Sequence, residues 1–267
     1  MTPSNAARVW RRPRVAAVSL TIAAIAMAAL SPALSARETQ ATSTPAENAA
    51  RLRVYSDRIA AVAARLPHGA SLTEMLPPLM REASARGAAG RPTEENAAAL
   101  LALAFYVNSW PLNVLVPDAR TWTPAAVRDL RLAGRTDLAQ HFAVSALIAS
   151  AAGSPIAAMA GVYKEMSDAR SGSGFSFSDI AADQAGTLFG QRASVTAESA
   201  RLLQTRVAAG VTESDLLPVV TDLADNMPEA EFIRRFGGIG APAYNAAIAD
   251  ITRRVAALPL FRPPAAR

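Results

Sequence analysis

Apolar residues recur at three- and four-residue spacing through most of the chain, the period of an amphipathic helix. The segment 49–66 shows this spacing clearly. "SLTE" at 71–74 indicates a capping box for a helix that extends to about residue 86. After the break "GAAGRP", Thr93 is the predicted cap of a strongly apolar helix that is too short to predict a membrane span.

The second half of the chain carries further helix signals, several of them a Ser or Thr just before the first turn, as at Thr123, Thr136 and Ser178. The predicted helices cover 124–134, 137–152, 155–168, 179–191, 196–209, 213–226 and 241–257. Alternation of period two does not stand out, and alanine dominates the composition. The sequence therefore predicts an all-α fold, an irregular helical bundle with a central three-helix motif segment, as one domain over 51–260 with its motif core at 136–191.

The first 36 residues have the pattern of an export signal. "RVWRRPR" is a positively charged start, residues 15–30 are a largely apolar run, and "SPALSA" supplies small residues for cleavage. We expect a signal peptide over 1–36, cleaved after Ala36, and then a flexible lead-in over 37–50. The expected location is the periplasm, with an uncleaved membrane anchor as the alternative.

The formal charge of +5 belongs mostly to that signal, which holds four arginines and no acid and leaves 23 basic and 22 acidic residues behind it. No cluster of basic and aromatic residues remains to follow a phosphate backbone, so we expect no nucleic-acid partner. The chain has no cysteine, which excludes disulfides, thiolate metal ligands and a cysteine nucleophile.

Three consecutive predicted helices each place two ionisable residues on one face. The pairs are Asp137 with His141, Glu165 with Asp168, and Asp179 with Asp183. Gly186 and Gly190 continue the last stripe, where the missing side chains would let another helix approach closely.

One imidazole among several carboxylates suits either a divalent ion or general acid–base chemistry. The candidate metal ligands are His141, Glu165, Asp168, Asp179, Asp183 and Asp137. The candidate catalytic residues are Glu165, Lys164 and Asp183. A divalent metal ion is the one cofactor that this pattern suggests.

Each of these residues also has a purely structural explanation. Asp137 and Asp179 stand in first helical turns, where the helix dipole favours a carboxylate. Lys164, the only lysine, is spaced for an ion pair with Asp168. His141 could equally be a core histidine whose ring nitrogens are both hydrogen-bonded.

Three ordered motifs carry a family resemblance: "LAQHFAVSA" at 138–146, "KEMSD" at 164–168 and "GSGFSFSDIAADQAG" at 172–186. Their succession resembles the YfiM-like family of predicted periplasmic lipoproteins and is more distantly similar to the VanZ-like membrane proteins. The resemblance covers about residues 137–190 and implies an envelope location and a shared site, but no reaction. The chain departs from the family because it has no cysteine for acylation and carries long helical extensions.

Two functions from different classes are compatible with the sequence. The first is an exported envelope protein of undefined molecular activity, in which the His, Glu, Asp and Lys cluster holds or forms a site between three helices. The second is a metal-assisted hydrolase or transferase that acts on an envelope component, with the same cluster as ligands and acid–base groups. In a further alternative, the mature protein associates with a membrane surface, since the apolar stretch 139–162 carries small residues that could pack in lipid.

Overall fold

The structure, a computed structural model, describes residues 43–151 and 174–262. Across these two ranges the chain forms nine α-helices and three short 3-10 turns, with no strand beyond isolated bridges. The helices are α1 (Pro45–Ala63), α2 (Leu72–Gly87), α3 (Pro92–Val107), α4 (Thr136–Ala151), α5 (Phe177–Ser194), α6 (Ala197–Ala208), α7 (Glu213–Leu216), α8 (Glu229–Phe236) and α9 (Pro242–Ala256). The predicted all-α fold is confirmed.

Helix α3 is the centre of the packing. It touches α1, α2, α4, α5 and α6, and it is buried along most of its length. A helix that is apolar all round needs such an environment, because it has no face to offer to water. The strongly apolar segment after residue 93 is therefore the core of the bundle, and no helix of the described residues is long and apolar enough to cross a membrane.

One polar residue in the first turn of α3, Glu95, is buried and satisfied. Glu95 is 4% exposed, and its carboxylate accepts hydrogen bonds from Arg51 Nε (3.0 Å), Arg86 Nε (2.8 Å) and the Tyr55 hydroxyl (2.8 Å). Burial beside this carboxylate raises the pKa of Tyr55, so the phenol stays protonated as a donor. The cluster joins α1, α2 and α3 at one point.

Two helix starts differ from the sequence prediction in the first part of the chain. Helix α1 begins at Pro45, where Thr44 and Glu47 form a capping box, so the lead-in predicted over 37–50 is wrong from residue 45 onward. The apolar helix α3 begins at Pro92 without a side-chain cap, so Thr93 is not its N-cap.

The helix predicted over 124–134 is absent, and residues 123–130 are irregular in structure. Backbone hydrogen bonds from Gly69 to Arg128 and from Leu72 to Arg131 hold this stretch against the start of α2. Pairing with a distant segment has overridden the local signal of Thr123 and the proline that follows it.

The chain after α6 also departs from the prediction. The helix expected over 213–226 is a single turn, α7, because Leu217 precedes Pro218 and takes an extended conformation. Helix α8 was not predicted from the sequence. The side chain that caps α5 is Ser176, which accepts from the backbone N–H of Asp179 at 3.0 Å, rather than Ser178.

The predicted signal peptide over 1–36 and the helix expected over 155–168 lie outside the described residues, as do residues 37–42 of the lead-in.

Candidate functional site

Helices α4 and α5 meet at backbone distance through two glycines. An added Cβ at Gly186 would lie 2.2 Å from the carbonyl oxygen of Phe142, and one at Gly190 would lie 2.2 Å from that of Ala146. No side chain fits in those spaces, so only glycine permits this approach. The close contact predicted from the Gly-x-x-x-Gly stripe is confirmed, and it brings the polar residues one and two turns earlier on α5 up to α4.

His141 on α4 lies between two carboxylates of α5. Its Nδ1 is 3.1 Å from Asp183 Oδ1, and its Nε2 is 3.6 Å from Asp179 Oδ2. The two aspartate side chains are mostly buried, with 17% exposure for Asp179 and 19% for Asp183. The four-residue spacing on each helix therefore produces one Asp–His–Asp cluster across the helix contact.

The charge states of this cluster follow from its surroundings. Burial alone lowers the pKa of His141, but the hydrogen bond to Asp183 and the charges of Asp183, Asp179 and Asp137 raise it to about 9. Burial raises the pKa of Asp179, and the nearby imidazolium partly offsets that shift. The imidazole is therefore protonated at neutral pH, and both ring nitrogens carry a proton directed at an aspartate.

Arg135 is the second cation of the site, one residue before α4. Its guanidinium forms ion pairs with Asp137, with Asp179 at 3.4 Å and with Asp225 from the segment between α7 and α8. Arg135 lowers the pKa of Asp137 through the hydrogen bond. Burial raises the pKa of Asp225, but the hydrogen bonds from Ser176, Arg135 and Ser178 together with the charge of Arg135 bring it below its ordinary value.

Sequence reasoning missed Arg135, Asp225 and Ser145. Asp225 lies 90 residues from Arg135, and no local spacing connects the two. Ser145 stands four residues after His141, a spacing that could have placed it on the same face. Its hydroxyl donates to Asp183 Oδ1 at 2.7 Å.

The arrangement of Ser145, His141 and Asp183 is not that of a nucleophilic triad. In such a triad the serine hydroxyl donates to the imidazole nitrogen that is remote from the carboxylate. Here Ser145 and His141 approach the same oxygen of Asp183, and the remote nitrogen faces Asp179. The imidazole of His141 is thus not placed to take the proton of the Ser145 hydroxyl, as the histidine of a triad would be.

Of the predicted site residues, the structure brings Asp137, His141, Asp179 and Asp183 to one place. The remaining three, Lys164, Glu165 and Asp168, lie outside the described residues. Within residues 43–151 and 174–262, no group of three or more His, Asp or Glu side chains is arranged to hold a metal ion.

The described residues thus form an all-α protein with an Asp–His–Asp cluster at a helix contact that two glycines permit. Comparison of the chain with protein-family models, with curated proteins and with solved structures gave no match.

The geometry of His141 predicts that thermal stability falls as the pH rises from about 6.5 to about 9. The pKa of His141 in the folded protein is about 9, above its ordinary value of 6.5, so the folded state binds this proton more tightly than the unfolded state. The resulting stabilisation is complete below about pH 6.5 and is lost as the pH passes through the folded-state pKa. Melting temperatures measured by circular dichroism across this range would show the decline.

The His141→Gln variant isolates this contribution from those of Asp137, Asp179 and Asp183, which remain in place. Its melting temperature should decline less than that of the wild type over the same range. The matched control is His68→Gln, since the other histidine is a largely exposed loop residue. Parallel wild-type and His141→Gln profiles would contradict the assignment of the pH dependence to His141.

Proposed function

We propose that this chain is an exported protein of the cell envelope and that its His141–carboxylate cluster holds helices together rather than carrying out a reaction. The export part rests on the pattern of residues 1–36. A relationship to the YfiM-like family is part of the proposal and rests on the motifs within 137–190. The structural role rests on the geometry of the described cluster.

The observation that supports the structural role is that the cluster's side chains are directed at one another. His141 uses one ring nitrogen towards each of two aspartates, and Asp183 also accepts from Ser145. Arg135 binds acids from three separate stretches of chain. A half-buried polar network of this kind stabilises a fold when its members are satisfied by one another, whereas a catalytic base or metal ligand needs a free lone pair.

The alternative, a metal-assisted hydrolase or transferase that acts on an envelope component, requires more than the described cluster supplies. A metal ion at His141 would have to displace a ring proton and the hydrogen bond between that ring and Asp183. The metal and its acid–base partners would have to involve Glu165, Asp168 and Lys164, and this alternative therefore rests on the sequence pattern alone.

Native mass spectrometry of the protein released from the envelope of expressing cells tests export and metal binding on one sample. We expect the mass of a chain that begins at Arg37, since Ala36 is the predicted last residue of the signal. We also expect no stoichiometric divalent ion, because the cluster neutralises its own carboxylates.

As a matched comparison, the mass and the melting temperature of the same sample are measured after incubation with Zn²⁺ or Mg²⁺ and again after addition of a chelator. A full-length mass in the membrane fraction would contradict cleavage and favour an anchor. A stoichiometric ion whose removal lowers the melting temperature would overturn the structural role and favour the metal-assisted alternative.

A further inference from the structure

An open cleft of about 450 Å³ lies between the C-terminal end of α3, α1 and the loop that follows α3. Its walls are mostly apolar or aromatic, and they include Phe105, Tyr106, Trp110, Trp122 and Pro124. Small-molecule sites in proteins are typically concave, largely apolar and about 300 to 1,000 Å³ in volume. The cleft shares no residue with the Asp–His–Asp cluster.

The polar backbone at this end of the bundle is already satisfied, which leaves the cleft floor apolar. The last four carbonyls of α3 all accept hydrogen bonds. Asn108 donates to the carbonyl of Ala104, Trp110 to that of Phe105 and Ser109 to that of Tyr106. The side-chain amide of Gln140 donates to the carbonyl of Val107. The Tyr106 hydroxyl donates to the carbonyl of Ala126 at 2.7 Å. Unsatisfied carbonyl oxygens at the end of a helix would repel an anion. Because these carbonyls are hydrogen-bonded, a molecule bound in the cleft would not meet them.

One charged side chain, Arg120, is found among the described residues that line the cleft. It is exposed, and within the described ranges no carboxylate lies at ion-pair distance from it. Several arginines of the described ranges are, by contrast, held by acids of neighbouring helices, as Arg51, Arg58 and Arg86 are. A guanidinium without an acid beside an aromatic wall suits a planar, singly charged anion such as a carboxylate.

The chain leaves α3 through a left-handed residue at the rim of the cleft. Ser109 has a φ of 55°. The N–H groups of Ser109 and Trp110 donate to Tyr106 and Phe105, which is the Schellman motif that ends many helices. At Ser109 the conformation turns the chain out of α3 and places Trp110 against Phe105, with ring centroids 5.5 Å apart.

We propose that this cleft binds a small amphipathic anion, with its apolar body against Trp110 and Trp122 and its carboxylate on Arg120. The apolar walls exclude water from the body of such a ligand, and the lone cation selects the sign of its charged end. Neutral and cationic molecules with the same apolar body bind more weakly, because they leave the guanidinium without a partner.

Intrinsic fluorescence provides the test, because two of the three tryptophans of the chain line the cleft. In the full chain carrying Trp10→Phe, the signal comes from Trp110 and Trp122 alone. Dodecanoate, used below its micelle concentration, should change the emission saturably. 1-Dodecanol and dodecylammonium should bind about threefold more weakly or worse, since an ion pair with an exposed guanidinium contributes on this scale.

Arg120→Gln should weaken dodecanoate binding by about threefold and remove the preference for the anion. Arg234→Gln is the matched control, since it removes the same charge from an exposed position outside the cleft, and it should bind as the parent does. Ala119→Phe, which fills the cleft, should abolish the saturable change. Melting curves of each variant confirm that it is folded.

The proposal is overturned by an absence of saturable binding, by equal affinity for dodecanoate and 1-dodecanol, or by unchanged binding in Arg120→Gln. Equal weakening in Arg234→Gln would also overturn it, because the effect would then be one of net charge.

Discussion

Alanine at Gly186 should lower the melting temperature by roughly 5 to 10 °C, and Gly190→Ala should do the same. A Cβ at either position lies 2.2 Å from a backbone carbonyl of α4, which cannot swing aside as a side chain could. Overpacking of this kind typically costs about 1 to 3 kcal/mol and sometimes more, and each kcal/mol corresponds to about 2 to 4 °C in a protein of this size. Thermal unfolding followed by circular dichroism measures the effect.

Alanine is otherwise the better helix former by about 1 kcal/mol, so propensity alone predicts stabilisation by these changes. Thr187→Ala, next to Gly186 on the same helix and only half-buried, is the control and should change the melting temperature little. An unchanged or raised melting temperature in Gly186→Ala would show that α4 and α5 are not packed at backbone distance.

Glutamine at Glu95 should reduce the free energy of unfolding by about 3 kcal/mol. Removal of one partner from a buried ion pair is costly because the other charge stays behind without compensation. Here three donors from Arg51, Arg86 and Tyr55 converge on the carboxylate, and the amide of Gln would present two further donors to them. Urea unfolding of the two proteins compares their stabilities directly.

The neighbouring Glu94→Gln is a stringent control for that experiment. Glu94 also pairs with Arg51, at 2.7 Å, but its side chain is 23% exposed, against 6% for Glu95. Water can replace part of the ion pairing that Glu94→Gln removes. The free energy of unfolding of this variant should therefore fall by about 1 kcal/mol or less. Equal losses from the two variants would contradict the view that burial determines the contribution of Glu95.

Sequence reasoning located most helices because their signals are local. The capping box at Ser71 starts α2, and Thr196 caps α6, since a side chain three residues away satisfies the first free N–H groups. The proximity of Gly186 and Gly190 to α4 was also predictable, because a four-residue spacing fixes a shared helical face.

The prediction of a helix after Thr123 failed because the backbone there is held by a segment more than fifty residues away. Its hydrogen bonds run to Gly69 and Leu72 near the start of α2, and no property of the local sequence contains that information. The short α7 could have been predicted better, since Pro218 restricts the residue before it.

For the candidate site, the helical register was sufficient to bring Asp137, His141, Asp179 and Asp183 together. It did not reveal how these groups are neutralised. Arg135 lies before the first turn of α4, and Asp225 lies in an irregular stretch, so neither belongs to a periodic pattern. Their pairing depends on how the chain returns after α6, which only the three-dimensional structure shows.

The reach of Arg135 has a consequence for the order in which the chain folds. Its three acids stand at positions 137, 179 and 225, so its ion pairs are complete only after two successive long loops have closed. Loop closure is entropically costly, so we expect these ion pairs to form after the more local contacts of the helices. In that case Arg135 would slow unfolding more than it speeds folding.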